Sequence, residues 1–197
     1  METRRRILEA ARRLFVAHAW NGVTIDAIAR EAGVAVETVY AAFGTKAAIV
    51  RRLVEIAVRG DDESVPLTER AGPRAVLGEA DPQRQIRMFA EDIRSRLARV
   101  SPLLDVVRTA GATEPEMAAL FDELQSARLR GLSQFARAVA ANGRLRKGLT
   151  EEGAAETVWA LASPELYRLL TETRRWSGER YSRWLGDALV ALLLPPR

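Results

Sequence analysis

Groups that make or break covalent bonds are scarce in this chain of 197 residues. It has no cysteine and one histidine, His18. His18 falls beside Leu14 and Phe15 on the apolar side of a helical repeat, which marks a core or rim residue rather than a catalyst. The chain has no glycine-rich phosphate loop and no His/Asp/Glu spacing suited to a metal, and Glu151-Glu152 read as charges at a helix start. No enzyme activity, cofactor or metal is therefore expected. The informative polar chemistry lies instead between Val36 and Ala41. Val36 and Thr38 offer methyl groups and Glu37 a carboxylate acceptor, with Ala41 one turn further on. Such a set recognises a surface by contact and hydrogen bonding and does not transform it.

Those residues need an element that presents them. Ile25, Ile28, Ala29 and Ala32 have the spacing of one buried helical face, with Thr24 as N-cap and Asp26 in the first turn. Gly33 follows and tolerates the positive φ of a sharp turn. Val34 suits the angle between two helices, and a second apolar face appears at Val39, Tyr40 and Phe43. Two short helices joined by a glycine-containing turn form a helix-turn-helix, whose second helix enters the DNA major groove. A preceding helix over Thr3 to His18, with Ile7, Ala11, Leu14, Phe15 and His18 on one side, completes a three-helix unit. Thr45 can cap a fourth helix from Lys46 to about Arg59. In this setting Val36, Glu37, Thr38 and Ala41 reach base edges. None is an Arg or Lys for guanine, or an Asn or Gln for adenine. Val36 and the Thr38 methyl suit thymine methyls, and Glu37 suits cytosine N4. Arg4, Arg5 and Arg6 either follow the phosphate backbone or minor groove, or form an ordinary solvated run.

From Ile7 to Ile49 the chain resembles the TetR-type one-component transcriptional regulators. The shared string is Leu14-Phe15, then Thr24-Ile25-x-x-Ile28-Ala29-x-x-Ala32-Gly33-Val34, then Thr38-Val39-Tyr40-x-x-Phe43-x-Thr45-Lys46. Departures are Ala19 for the helix-ending Gly, Ala35 for the Ser that caps the recognition helix, Ala42 for His or Tyr, and Ala47 for Glu. Losing the Ser cap should cost about 1 kcal/mol of helix stability. The resemblance implies that Tyr40 and Lys46 contact the DNA backbone and that the Thr24 hydroxyl and its helix start meet another phosphate. It also implies a homodimer through the last two long helices and a C-terminal effector-binding domain. The expected division is a DNA-binding domain at 1–48, with helix four from 46 as the link, and an effector and dimerisation domain at 49–197.

Charge follows the same division. Residues 1–60 carry 10 Lys+Arg against 6 Asp+Glu, and residues 61–197 carry 20 against 20. A positive head favours phosphate contact and counterion release. There is no apolar run of the ~20 residues a membrane span needs, since Leu185 to Leu194 is too short. A cytoplasmic protein without a membrane partner is expected.

The remainder reads as all-α. Gly60 to Pro82 reads as a connection with a short helical turn near Ala75–Leu77. Helices are expected over Gln83 to Val100, from Ser101-Pro102 to Thr109, and from Pro115 to Asn142. Another starts after Thr150 and is kinked at Pro164, and the last runs from about Gly178 to Leu194. The last helix carries Tyr181, Trp184, Leu185, Ala188, Leu189 and Leu192 on its main stripe, with Val190, Leu193 and Leu194 outside it. So much apolar surface suits packing on a partner as well as on its own core, and two helices from each subunit make a four-helix bundle. The expected interface is Leu166, Leu170, Tyr181, Trp184, Leu185, Ala188 and Leu192. Candidate effector-pocket residues are Phe89, Ile93, Leu104, Met117, Phe121, Leu124, Trp159 and Tyr167, with Arg94 and Arg108 able to meet a ligand carboxylate.

The function expected is a ligand-responsive repressor that binds a pseudo-palindromic operator on double-stranded DNA as a homodimer and releases it for a small-molecule effector. A ligandless architectural DNA-binding protein is the alternative, and a small helical enzyme a more remote one.

Overall fold

In a computed structural model describing residues 2–196, every regular element is helical. Ten α-helices follow in order: α1 Glu2–His18, α2 Ile25–Ala32, α3 Val36–Phe43, α4 Lys46–Arg59, α5 Ala71–Gly78, α6 Pro82–Ala110, α7 Pro115–Asn142, α8 Glu151–Leu161, α9 Pro164–Arg168 and α10 Gly178–Leu193. A 3₁₀ turn at Leu67–Glu69 precedes α5, and a single π turn, Leu169–Thr173, extends α9.

The chain divides into two compact units, residues 1–61 with 102–123, and 62–101 with 124–197. Helix α4 and the α6–α7 corner thus group with the N-terminal helices, a different grouping from an expected cut at 48. Ile49, Val50, Leu53 and Val54 of α4 are buried, and Arg51 grips Glu123 with two bonds of 2.5 and 2.8 Å.

The first unit forms around α1. Its buried residues, Ile7, Leu8, Ala10, Ala11 and Phe15, face α2 and α4, and most outward positions are charged, Val16 being an exposed apolar exception. His18 is exposed and takes no part in this core. The helix ends at Ala19, which stands at φ +55° while its amide donates to the Phe15 carbonyl at 3.0 Å. That left-handed turn is the position at which glycine carries no steric cost.

The second unit is built on an apolar cluster that includes Ile86, Phe89, Ile93, Phe135, Val139, Val158, Tyr181, Leu185, Leu189 and Leu193. Its buried amide, Gln85, is satisfied by a backbone carbonyl and by the exposed Asn142. Gln85 Nε2 donates to the Val76 carbonyl at 3.0 Å, and Asn142 Nδ2 donates to Gln85 Oε1 at 3.1 Å and to the Glu79 carbonyl at 2.7 Å. Arg146 closes the end of α10, its backbone amide on the Leu193 carbonyl at 2.7 Å and its guanidinium on that of Ala191 at 2.9 Å.

Four local expectations differ from the structure. Helix α6 runs unbroken through Pro102, because Leu103, Val106, Val107 and Ala110 are all buried beyond it. Their burial offsets the roughly 3 kcal/mol that a proline costs inside a helix. The 60–82 connection contains a full helix, α5, started by Pro73 in its first turn and anchored by buried Val76. Pro164 does not kink a continuing helix; Ser163 caps a new one, its Oγ accepting the Leu166 amide at 3.1 Å. In α10 the buried face runs Tyr181, Leu185, Leu189 and Leu193, leaving Leu192 outside at 45% exposure.

Ala19 yields a direct test. Relieving a left-handed alanine recovers about 1 kcal/mol, part of which glycine's looser unfolded chain takes back. Ala19→Gly should therefore raise the melting temperature by about 2 °C, measured by circular dichroism; an unchanged or lower value would contradict the strain assigned here.

Candidate nucleic-acid interface

Helix α3 has only eight residues, and in isolation a helix of that length is marginal. Its sequence buries Val39 alone, which docks one face and leaves the opposite face outward. Glu37, Tyr40 and Ala41 are exposed, and Val36 and Thr38 half-buried. Tyr40 is 53% exposed, so its hydroxyl stands in solvent and not in the core.

What orients α3 is a set of side chains from neighbouring helices. Thr24 Oγ1 accepts the Ala27 amide at 3.1 Å and starts α2. That bond uses the oxygen and leaves the hydroxyl proton able to donate outward. Gly33, at φ +63°, turns the chain, and the amides of Gly33 and Val34 close on the Arg30 and Ala29 carbonyls. Arg6 then reaches across from α1, its Nη2 donating to the Ala32 carbonyl at 2.6 Å and the Gly33 carbonyl at 3.1 Å. Arg13 pairs with Glu31 at 2.9 Å on the same helix pair. At the far end of α3, Arg4 donates to the Ala42 carbonyl at 2.9 Å while its guanidinium lies 4.6 Å from the Phe43 ring centre. Cationic groups at these carbonyl ends also suit the negative pole of each helix.

Lys46 holds the third corner. Its Nζ donates to the Trp20 carbonyl at 3.1 Å and the Val23 carbonyl at 3.0 Å, and lies 3.8 Å from the Trp20 ring centre. Trp20 stacks in turn on buried Phe15, ring centres 5.9 Å apart. Burial lowers the Lys46 pKa from its ordinary value, with Glu114 opposing that shift. Two of the three ammonium protons serve the α1–α2 connection, which leaves one for an outside acceptor.

The structure thus brings Thr24, Val36, Glu37, Thr38, Tyr40, Ala41 and Lys46 onto α3 and its two flanking helix starts. Sequence reasoning missed the clamping roles of Arg4 and Arg6. Both belong to the arginine run read as backbone-reaching or solvated, and the third member, Arg5, pairs with Glu2 and Glu9. Only the spacing from α1 to the ends of α2 and α3, a tertiary fact, distinguishes these uses.

The expected effector residues fall in both units. Leu104, Met117 and Phe121 belong to the first, with Met117 fully buried. In the second, Phe89 stacks on Phe135 with ring centres 4.0 Å apart, Ile93 is buried, and Leu124, Trp159 and Tyr167 are half-buried. Arg94 and Arg108 already have carboxylate partners, Glu91 at 2.5 Å and Asp105 at 2.7 Å. Of the expected interface residues, Tyr181 and Leu185 lie wholly inside their own subunit's core. Leu166, Leu170, Trp184 and Ala188 are half-buried and Leu192 exposed.

Ala35 occupies the N-cap of α3 and provides no side-chain bond. Ala35→Ser should add about 1 kcal/mol of stability through a hydroxyl on the free amides of the first turn. Urea denaturation would register this as a higher midpoint at unchanged slope.

Residues 7–53 match the family described as bacterial regulatory proteins, tetR family. Solved structures share the fold along nearly the whole chain. The transcriptional regulator FadR from Bacillus subtilis, in complex with stearoyl-CoA, has a TM-score of 0.74 at 18% identity, over 95% of this chain and 97% of that one. NalD, the secondary repressor of the MexAB-OprM multidrug efflux pump in Pseudomonas aeruginosa, has 0.71 at 21% identity, over 98% and 96%. The TetR-family regulator PfmR from Thermus thermophilus has 0.68 at 20% identity, over 95% and 98%. No curated protein matches in sequence. The family match thus covers the N-terminal head, and solved transcriptional regulators of that family share the fold along nearly the whole chain.

Proposed function

We propose that the protein is a ligand-responsive repressor that binds a pseudo-palindromic operator as a homodimer. The observation that carries this reading is the outward face of α3. Its inner face is docked by Val39 and its end tied down by Arg4, while Tyr40, Glu37 and Ala41 are presented to solvent. Val36 and Thr38 meet thymine methyls, and Glu37 accepts from cytosine N4. Tyr40, the Thr24 hydroxyl and the remaining Lys46 proton meet phosphates and set the register. The family match over residues 7–53 supports the same assignment.

Pairing follows from the apolar face that α9, its π turn and α10 leave outside their own core. Leu166, Leu170, Trp184, Ala188 and Leu192 form the proposed isologous interface, joined by Leu169, which is 52% exposed. A two-fold axis then sets two copies of α3 against half-sites ~34 Å apart, or a multiple of that. An effector bound in the second unit stabilises one spacing of the two heads over another, and operator affinity changes by that difference.

Two measurements test the reading. Light scattering should give a dimer for the native chain and a monomer for Leu192→Asp, and a monomeric native chain would overturn the pairing. On a duplex from the protein's own upstream region, Tyr40→Phe should weaken binding alike for all sequences. Glu37→Gln should instead relax preference at one base pair, by about 1 kcal/mol or less because the carboxylate makes a single contact to cytosine N4. Equal affinity of the native protein for that duplex and for a scrambled one would refute operator recognition.

A further inference from the structure

The second unit holds two buried hydrogen-bond donors without acceptors, beside a guanidinium without a carboxylate partner. Tyr181 is 0% exposed, yet its hydroxyl has no hydrogen-bond partner. The indole N–H of Trp159 is likewise buried without one. Buried tyrosine and tryptophan heads nearly always find an acceptor, so two such orphans in one cluster call for an explanation. Arg128 lies beside Trp159. Its guanidinium lies 4.9 Å from the centre of the Trp159 ring and donates to the Trp159 carbonyl and, at 3.2 Å, to Gln125 Oε1. Those acceptors are neutral. The countercharge that acts on it, Glu165, is exposed and works through space.

Burial lowers the Arg128 pKa to about 10, and burial raises that of Tyr181 with Arg128 pulling the other way. A guanidinium remains charged at that value, so the cluster carries a positive charge that no carboxylate pairs with directly. The wall beside it is irregular. Tyr167 sets its ring edge-on to Tyr181 with centres 4.9 Å apart, and the π turn Leu169–Thr173 begins two residues later. Such single-turn widenings recur at functional sites. The surroundings are apolar, including buried Val158 and Leu185.

Resting on the ligand-responsive reading above, we propose that the second unit binds a carboxylate attached to an apolar or aromatic body. Arg128 is its counter-ion, and the Tyr181 hydroxyl and Trp159 indole N–H are its donors. A single carboxylate matches the single guanidinium and supplies the lone pairs that both orphan donors need. A phosphate dianion would leave one charge uncompensated in apolar surroundings, and a neutral compound would leave the guanidinium unpaired. The expected discrimination is therefore between an acid and its own amide.

Octanoate, benzoate and phenylacetate, each beside its amide, are titrated into the full-length protein with tryptophan fluorescence and thermal shift as readouts. At least one acid should bind at submillimolar concentration and at least tenfold more tightly than its amide. Arg128→Gln and Tyr181→Phe should each weaken that acid tenfold or more while circular dichroism shows retained helix. Tyr181→Phe keeps the ring in the core, so its loss of binding is not a loss of fold. Equal binding of acid and amide, no binding of any of the acids, or binding that survives both substitutions overturns the proposal. Affinity for the upstream duplex is measured in the same samples. An acid that binds through Arg128 without changing that affinity upholds the anchor and overturns the responsive regulator. Absence of acid binding, with sequence-preferring DNA binding intact, overturns the anchor alone.

Discussion

An eight-residue helix with one buried side chain cannot fix its own direction, and everything the head does depends on α3 having one. Its orientation is imposed through carbonyl groups. Arg6 gathers the carbonyls at the end of α2, Arg4 takes one at the end of α3, and Lys46 takes two between α1 and α2. Helix ends and the turns beside them leave such carbonyls without intrahelical partners, so three long cationic side chains convert five carbonyls into fixed points. The positive charge of residues 1–60 is thus partly structural. Arginines that composition alone would assign to phosphates are spent on geometry.

The second unit handles buried polar groups in two opposite ways. Gln85 and Asn142 form a closed set with the Val76 and Glu79 carbonyls, and Arg146 closes the end of α10. Around Tyr181 and Trp159 the same unit leaves donors open beside a guanidinium. A fully satisfied network rigidifies a core, whereas an incomplete one raises the free energy of the state that contains it. A ligand supplying the missing acceptors would lower that energy selectively, which is the differential interaction any conformational response requires.

Elements with local signatures were legible in the sequence, and those set by long-range packing were not. Thr24, Thr45 and Thr150 each cap the helix start that their spacing indicates, and α4 spans Lys46–Arg59 as read. The family match of the head was legible in the spaced string between Ile7 and Ile49, and the all-α fold in the helical periodicity of the remainder. Prolines were misread in context. Pro102 and Pro164 follow the same residue, serine, yet one lies inside a helix and the other starts one. What separates them is burial of the succeeding turn, which a dipeptide does not encode. The stripe of α10 was misjudged for a similar reason: with apolar residues nearly all round its end, sequence offers no way to choose between Leu192 and Leu193 as the inward one. The clamping arginines were hidden because their partners are carbonyls, which every residue possesses.

The composition of α3 has a consequence for how a duplex could be told from its competitors. Bidentate pairs from Arg, Lys, Asn or Gln contribute about 1–3 kcal/mol of discrimination each, and α3, read as Val-Glu-Thr-Val-Tyr-Ala-Ala-Phe, has none. Methyl contacts and one carboxylate discriminate less per position. Phosphate contacts add affinity without preference, and their share falls steeply as salt rises. A single head of this kind would bind weakly and nearly indifferently. In the proposed dimer, selectivity would come from two sources outside α3: the fixed spacing of a second head, which makes two weak preferences act together, and the sequence-dependent cost of bending or narrowing the duplex between them. In the proposed dimer a small change in head spacing would therefore remove most of the selectivity at once. A ligand-responsive dimer of the proposed kind, with so weakly reading a helix, would for that reason be unusually sensitive to whatever occupied its second unit.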